Sequence, residues 1–133
     1  MAGLSPTQRT LKAMKDQGRL CGIVERFNPH VGTHGIRQDL FGFIDIIAID
    51  PVDGIVAIQS CGQDFSGHIK KIQEERNEIA FEWMKHAKCE LWGWRKVKNK
   101  LKGGGYGKSM RWQARVADLS IDSDGELVFT ERK

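Results

Sequence analysis

The segment that most constrains the fold is Asp39–Ser60, which reads as two apolar strands joined by a tight turn. Apolar residues occupy both alternating positions of Asp39–Ile49 (DLFGFIDIIAI), a pattern that predicts a strand buried on both faces. Pro51–Gly54 (PVDG) has the residues that a turn requires, and Ile55–Ser60 then returns as the partner strand. The sequence therefore predicts a β-hairpin at the centre of a sheet.

Elements on either side of this hairpin complete an α/β pattern. Ser5 followed by Pro6 indicates the start of a helix that ends near Gly18. A second helix is predicted for Ser66–His86, with a break near Gln73. The remaining segments are predicted as strands at Arg19–Phe27, Cys89–Lys98, Met110–Ile121 and Glu126–Glu131, and as a loop at Asn28–Gly35. The order α, β, β, β, α, β, β, β predicts one α/β domain over residues 1–133, with a mixed sheet and a C-terminal β extension.

Bulk properties limit the functional classes. A chain of 133 residues suits one domain with one core, and a net charge of +4 favours a polyanionic partner. The three cysteines are widely spaced and form no CxxC pair, which favours free thiols in a reducing compartment. Because no apolar run is long enough for a signal peptide or a bilayer span, we expect a cytoplasmic protein without a membrane partner.

Asp45 is the residue whose chemistry most needs an explanation. A buried carboxylate costs several kcal/mol unless it is paired or bound to a cation. Alternation along the strands places Asp39 and Asp45 on one face and brings Gln59 and Cys61 to that same face. Carboxylate and amide oxygens are ligands that Mg²⁺ or Mn²⁺ accepts. Two interpretations stay open, a metal site or an Asp45 satisfied by backbone N–H groups or by an arginine such as Arg37.

The run IDIIAIDPVDGIVAIQSC resembles the core of the PD-(D/E)XK nuclease superfamily. In that family a strand bearing the Asp returns as a strand bearing Glu-x-Lys, and a helix follows. Archaeal Holliday junction resolvases have a similar order of elements. The resemblance covers about residues 5–98 and implies a restriction-endonuclease-like αβββαβ core. It places Asp45 at the motif Asp, Gln59 at the motif Glu and Cys61 at the motif Lys.

Two substitutions separate this chain from the family motif. Gln59 retains an oxygen that can meet a metal, and some restriction-endonuclease-like members similarly carry Gln there. Cys61 lacks the positive charge with which the motif lysine orients water and offsets the phosphate. The resemblance therefore turns attention to basic residues of the following helix, His68, Lys70 and Lys71. It implies catalytic roles for Asp45, Gln59, Lys70 and Lys71, and a Mg²⁺ or Mn²⁺ site formed by Asp39, Asp45 and Gln59.

A further ligand is implied by the resolvases, which use a Glu on their first helix. Gln8 and Asp16 are the nearest residues here. Glu25, in the segment before the hairpin, is an alternative source of this ligand. Its other interpretation, which the sequence favours, is a solvated strand residue.

A basic and aromatic segment, Leu91–Arg115, contains no Asp or Glu. Two strands joined by LKGGGYGKS predict a flexible hairpin whose lysines neutralise phosphates and whose aromatic rings stack on exposed bases. The candidate nucleic-acid-binding residues are Arg95, Lys98, Lys100, Lys102, Tyr106, Lys108 and Arg111. In the alternative interpretation the lysines merely solubilise a loop. In either case we expect Trp92 or Trp94 to pack on the helix.

These patterns support three functional hypotheses. The first is a metal-dependent DNA nuclease of phage or mobile-element type, acting in the host cytoplasm on branched or single-stranded DNA. The resemblance implies a homodimer in that case, because a junction offers two symmetric strands to cut. The second is a non-catalytic nucleic-acid-binding protein on a decayed nuclease fold. The third is an interaction module in which the tryptophan-rich strands form a protein interface.

Overall fold

The computed structural model describes residues 3–132. Its helices are α1 (Pro6–Asp16), α2 (Phe65–Glu75) and α3 (Asn77–Met84). Its strands are β1 (Leu20–Ile23), β2 (Arg26–Asn28), β3 (Ile36–Gln38), β4 (Ile46–Asp50), β5 (Gly54–Cys61), β6 (Lys88–Lys100), β7 (Tyr106–Ile121) and β8 (Leu127–Glu131). Within residues 3–132, no helix is long and apolar enough to cross a membrane.

A six-stranded sheet in the order β1-β4-β5-β6-β7-β8 forms the centre of the protein. Its neighbouring strands are antiparallel except for β5 and β6, which are parallel and are connected through α2 and α3. One face of the sheet packs against Met14 of α1, and the other packs against Ile72 of α2 and Ala80 of α3. The predicted α/β class with a mixed sheet is therefore confirmed.

Helix α1 begins where the sequence predicts. The Ser5 hydroxyl accepts a hydrogen bond from the Gln8 backbone N–H, and the Gln8 side-chain oxygen accepts one from the Ser5 N–H. This reciprocal capping box, followed by Pro6, satisfies N–H groups that the first turn leaves free. Gln8 is thereby engaged as a helix cap and does not reach the acidic residues as a ligand.

The predicted Ser66–His86 helix is broken, as expected, but at Arg76 instead of near Gln73. Arg76 leaves the helical conformation with φ of −124°, and its Nε donates to the Gly42 carbonyl at 3.4 Å. Gln73 stays in α2 and donates to the Leu127 carbonyl. The break lets α2 and α3 both place apolar residues on the sheet.

The predicted strand Arg19–Phe27 is wrong as a single element. Only Leu20–Ile23 joins the main sheet, as β1, and β2 pairs instead with β3 in a separate two-stranded sheet. Residues 29–35 connect β2 and β3, so the predicted loop Asn28–Gly35 is confirmed except for Asn28, which ends β2. Val24 and Glu25 connect the two strands, and the Val24 N–H still donates to the Asp45 carbonyl at 2.9 Å.

The predicted strand Asp39–Ile49 is also shorter than expected. Strand β4 begins only at Ile46, and a turn occupies Phe41–Phe43. Phe41 and Gly42 both have positive φ, 56° and 82°, which is incompatible with a strand. The apolar run buries Phe43 and Ile44 through this turn. Asp39 and Asp45 therefore do not share a strand, and the parity argument for them was wrong.

The last long hairpin extends beyond the sheet. Strand β5 pairs with β6 only as far as Gly93, and β8 pairs with β7 only from Ala117 onward. From Trp94 opposite Ala114 to the tip, β6 and β7 pair only with each other, as a two-stranded ribbon closed by a glycine-rich turn. We call residues 94–114 the arm. At about 3.3 Å per residue it projects roughly 20 Å. The predicted hairpin is confirmed, and its flexibility stays a prediction.

Candidate metal centre and nucleic-acid interface

Three carboxylates meet at one end of the sheet. One carboxylate oxygen from each of Glu25, Asp39 and Asp45 lies within 4.8 Å of the others. Glu25 lies between β1 and β2, Asp39 directly follows β3, and Asp45 directly precedes β4. Asp45 is 4% exposed. We call these three residues the acidic cluster.

Gln59 completes the arrangement from β5. Its Nε2 donates to Asp45 Oδ2 at 2.9 Å and to Asp39 Oδ2 at 3.2 Å, and the Ser60 backbone N–H donates to the same Asp45 oxygen at 2.8 Å. The predicted meeting of Asp39, Asp45 and Gln59 is therefore confirmed. It arises because β4 and β5 pair in register, with Ile46 opposite Ile58.

The side-chain oxygen of Gln59 bears on whether this site can bind a metal ion. Gln59 Oε1 is buried and has no hydrogen-bond partner. A half-turn of the amide exchanges Oε1 and Nε2 and directs the oxygen at Asp39 and Asp45. In that orientation the amide oxygen and the carboxylate oxygens repel each other. The orientation becomes favourable when a cation lies between these oxygens. The acidic cluster with Gln59 thus offers up to four hard oxygen donors and fits Mg²⁺ or Mn²⁺.

The raised pKa of Asp45 also supports a cation-binding site. Burial, followed by the hydrogen bond to Asp39 and the charges of Asp39 and Glu25, raises the pKa of Asp45 to about 8, although the Ser60 N–H lowers it. The cluster therefore takes up a proton to limit repulsion among its carboxylates when no cation is bound. A divalent cation competes for the same oxygens, so binding of the metal should release that proton.

Stability without metal is expected to fall as the pH rises from about 5 to about 8. The folded state keeps a proton on Asp45 that the unfolded chain loses near its ordinary pKa of 3.8. The folded state therefore binds more protons throughout this window, and its stability decreases until the pH passes the folded pKa. Thermal unfolding in EDTA measures this, and Mn²⁺ should restore more stability at pH 8 than at pH 5. A flat or rising profile in EDTA contradicts the assignment.

The alternative explanation of Asp45 holds only in part. The Ser60 N–H does satisfy one carboxylate oxygen, whereas Arg37 pairs with Glu25 at 3.0 Å and not with Asp45. The Glu25 side chain is 13% exposed, so its interpretation as a solvated strand residue was wrong. The missed feature is the change of strand partner after β1, which no Gly or Pro marks in the segment VERF.

Cys61 cannot supply the charge of a lysine. Its side chain is buried beside Phe65, Leu91 and Ala117. Burial, with the charges of Asp64 and Asp45, raises the pKa of the Cys61 thiol to about 11, so the thiol is neutral at physiological pH.

Lys70 and Lys71 lie on α2, which buries Phe65 and Ile72 against the sheet. Lys70 is exposed and Lys71 is half-buried, and neither forms a hydrogen bond or ion pair with any residue from 3 to 132. His68 Nδ1 lies 2.7 Å from the Asp64 carbonyl of its own helix. The catalytic role of Lys70 and Lys71 stays a prediction.

The arm carries the candidate nucleic-acid-binding residues in exposed positions. The residues concerned are Arg95, Lys98, Lys100, Lys102, Tyr106, Lys108 and Arg111. None of these cations forms an ion pair with an acid of the described chain. By strand alternation, Arg95 lies on the sheet face that bears Gln59, and so does Arg111, which is opposite Val97. Lys98 lies on the opposite face, so the arm presents cations on both sides.

The tryptophans at the base of the arm pack as expected. Trp92 is 3% exposed and packs with Met14, and the Trp94 indole N–H donates to Thr10 Oγ1 at 2.9 Å. The helix that receives them is α1. Trp112, further out on β7, is 41% exposed.

Comparisons with protein-family models, with curated proteins and with solved structures find no match for this chain.

Proposed function

We propose that this protein is a metal-dependent nuclease that hydrolyses phosphodiester bonds in branched or single-stranded DNA. The observation that carries the proposal is the acidic cluster, whose Asp39 and Asp45 both contact the Gln59 amide. Carboxylates with a strongly raised pKa cluster at functional sites, and Asp45 is such a carboxylate. Cations of the arm lie on the same face of the sheet, where a polyanionic substrate would approach.

The order of elements supports the nuclease interpretation. Helix α1, strands β1, β4 and β5, helices α2 and α3 and strand β6 follow one another as expected for the αβββαβ core, with β6 parallel to β5. The β2–β3 hairpin is then an insertion, and β7 and β8 form the C-terminal extension. Asp45 directly precedes β4 and Gln59 lies in β5, the positions that the resemblance implies.

In the proposed mechanism a bound Mg²⁺ or Mn²⁺ supplies a Lewis acid and lowers the pKa of water. Asp39, Asp45 and the Oε1 of Gln59 would hold this metal, and Glu25 would accept a hydrogen bond or provide a further oxygen. The cationic side chains of the arm hold the DNA backbone. We retain Lys70 and Lys71 as the source of the positive charge that Cys61 lacks, because their long stems can turn toward a bound phosphate.

The shape of the arm favours branched DNA over a simple duplex. A ribbon that projects roughly 20 Å and carries cations on both faces can contact two separate nucleic-acid segments at once. A branch point brings two such segments together. A homodimer that cuts two symmetric strands belongs to the same proposal.

A cleavage assay tests the proposal directly. Purified protein is incubated with a four-way DNA junction, a single strand and a duplex, each with Mg²⁺, Mn²⁺ or EDTA. We expect metal-dependent cleavage that co-elutes with the protein on size exclusion, and faster cleavage of the junction than of the duplex. If no substrate is cleaved in either Mg²⁺ or Mn²⁺, the proposed nuclease activity is excluded.

The alternative function is non-catalytic DNA binding, and the neutral, buried Cys61 favours it. Without the motif lysine the fold can retain its basic arm and lose its chemistry. This alternative expects salt-sensitive DNA binding that is the same in Mg²⁺ and in EDTA, with no product in the cleavage assay.

A further inference from the structure

A cavity lies between α1 and the base of the arm, on the sheet face opposite the acidic cluster. Its volume is about 360 Å³. Pro6 and Arg9 of α1 form one wall, and Trp94, Lys96 and Trp112 of the arm form the other, with residues 62–63 closing one end. Cavities of about 300 to 1,000 Å³ are the size at which proteins take small ligands.

Two cations share one aromatic ring in this cavity. The Arg9 guanidinium carbon lies 3.8 Å from the centre of the Trp112 ring, and Lys96 Nζ lies 5.4 Å from it. Neither cation forms an ion pair within residues 3–132, and Arg9 Nε is buried without a hydrogen-bond partner. Because no acid balances either charge, an anion bound beside them gains two favourable charge interactions.

The aromatic residues add a second kind of recognition. Trp94 is fixed by its hydrogen bond to Thr10 and by contact with Trp92, whose ring centre lies 6.2 Å away. The Trp112 side chain forms no hydrogen bond within the described residues, and Trp112 is 41% exposed. An exposed indole beside unpaired cations can stack on a nucleobase while the cations bind its phosphate.

We propose that this cavity binds one unpaired nucleotide of a nucleic-acid strand, with its phosphate between Arg9 and Lys96 and its base against Trp112. A paired base in a duplex is stacked on its neighbours and cannot enter such a cavity. An apolar protein segment would leave both cations uncompensated. The cavity would therefore give the protein a preference for unpaired strands, which goes beyond cleavage and requires no metal.

The cavity is also connected to the acidic cluster through hydrogen bonds. The Ser60 N–H donates to Asp45, the Ser60 hydroxyl lies 2.8 Å from the Thr10 hydroxyl, and Thr10 accepts from Trp94. Strand β5 thus carries Gln59 on the face of the acidic cluster and Ser60 on the face of the cavity. A strand that passes the loop at residues 62–63 would meet both sites.

The test measures binding in EDTA, so its outcome is independent of catalysis. A fluorescently labelled oligothymidylate and a duplex of the same length are titrated with wild type, Trp112→Leu, Arg9→Gln and the control Lys12→Gln. Lys12 lies on the same helix as Arg9 but is exposed and outside the cavity. We expect Trp112→Leu to weaken single-strand binding about tenfold and to leave duplex binding unchanged.

Salt dependence tests the phosphate contact separately. For single strands the slope of log affinity against log salt should decrease by about 0.7 in Arg9→Gln and stay unchanged in Lys12→Gln. Should Trp112→Leu unfold, Lys96→Gln gives the same slope measurement from a surface position. Equal losses of single-strand and duplex affinity, or no loss in either, would overturn the proposal. That outcome would not bear on the proposed nuclease activity, because cleavage is measured separately with metal present.

Discussion

Replacing Asp45 by asparagine is expected to lower metal-dependent cleavage by about 100-fold or more, because even residues that only support a metal ligand contribute 10- to 100-fold. Asparagine keeps the shape of the side chain and can still accept the hydrogen bonds from Gln59 and Ser60. It removes the negative charge that a divalent cation needs at the centre of the acidic cluster. Initial rates on the junction, compared at equal protein and Mn²⁺ concentrations, measure the loss.

The same variant is expected to be more stable than wild type in metal-free buffer. At pH 8 the wild type begins to ionise Asp45 beside the carboxylates of Asp39 and Glu25, and asparagine relieves this repulsion. Relief of a strained site of this kind typically adds about 1–2 kcal/mol to the free energy of unfolding. Urea unfolding in EDTA at about pH 8 measures the gain, and the dependence of stability on pH should become flatter.

Asp124→Asn provides the matched control. Asp124 is exposed in the turn between β7 and β8, and its side chain forms no hydrogen bond within the described chain. The control should retain the wild-type cleavage rate and stability. Loss of both cleavage and stability in Asp45→Asn would assign Asp45 a structural role. Unchanged cleavage in that variant would remove the metal centre from the proposal.

The part of the site that sequence could predict is the part fixed by strand geometry. Asp45 and Gln59 flank a hairpin whose turn is written in the sequence as PVDG, and regular pairing then fixes which side chains meet. The sequence also predicted that Asp39 meets Asp45 and Gln59, but it did so by placing Asp39 and Asp45 on one strand, which is wrong. Asp39 reaches Gln59 through a turn at Phe41 and Gly42, which the continuous apolar run of DLFGFIDIIAI conceals.

The remaining parts depend on contacts that no local pattern encodes. Glu25 joins the acidic cluster from the link at which the chain leaves its pairing with β4 and begins to pair with β3. Arg9 meets Trp112 because α1 packs at the base of the arm. More than one hundred residues separate these two in the sequence. Periodicity predicts which face a residue takes, but not which distant element covers that face.

Replacing Arg19 by methionine is expected to lower the free energy of unfolding by about 3–5 kcal/mol, the usual loss when one partner of a buried ion pair is removed. Arg19 is 7% exposed and Glu90 is 2% exposed. Two guanidinium nitrogens donate to the Glu90 carboxylate at 2.9 and 3.0 Å, and Nε donates to Asp50 at 2.7 Å. Burial alone would raise the pKa of Glu90, and the hydrogen bonds from Arg19 and Trp92 outweigh it and keep this pKa below its ordinary value.

The control for this loss is Lys85→Gln. Lys85 pairs with Glu82 at 3.0 Å on the surface of α3, and both side chains are more than 60% exposed. An exposed pair of this kind contributes about 0.2–1 kcal/mol. Urea unfolding of both variants compares the free energy lost with a buried ion pair to that lost with an exposed one. A loss of less than about 1 kcal/mol in Arg19→Met would show that Arg132 and Trp92, which also donate to Glu90, compensate for Arg19.

Arg19→Met should also affect the proposed metal site, because Arg19 pairs with Asp50 in the β4–β5 hairpin. The Asp50 carboxylate accepts the backbone N–H groups of Asp53 and Val52 while it pairs with Arg19, and these contacts lower its pKa to about 2. They fix the turn between β4 and β5, and a slip of one residue there would carry Asp45 to the face opposite Gln59. Arg19→Met should therefore weaken the stabilisation by Mn²⁺ even where the variant is fully folded. Undiminished metal stabilisation would mean that strand pairing alone holds the register.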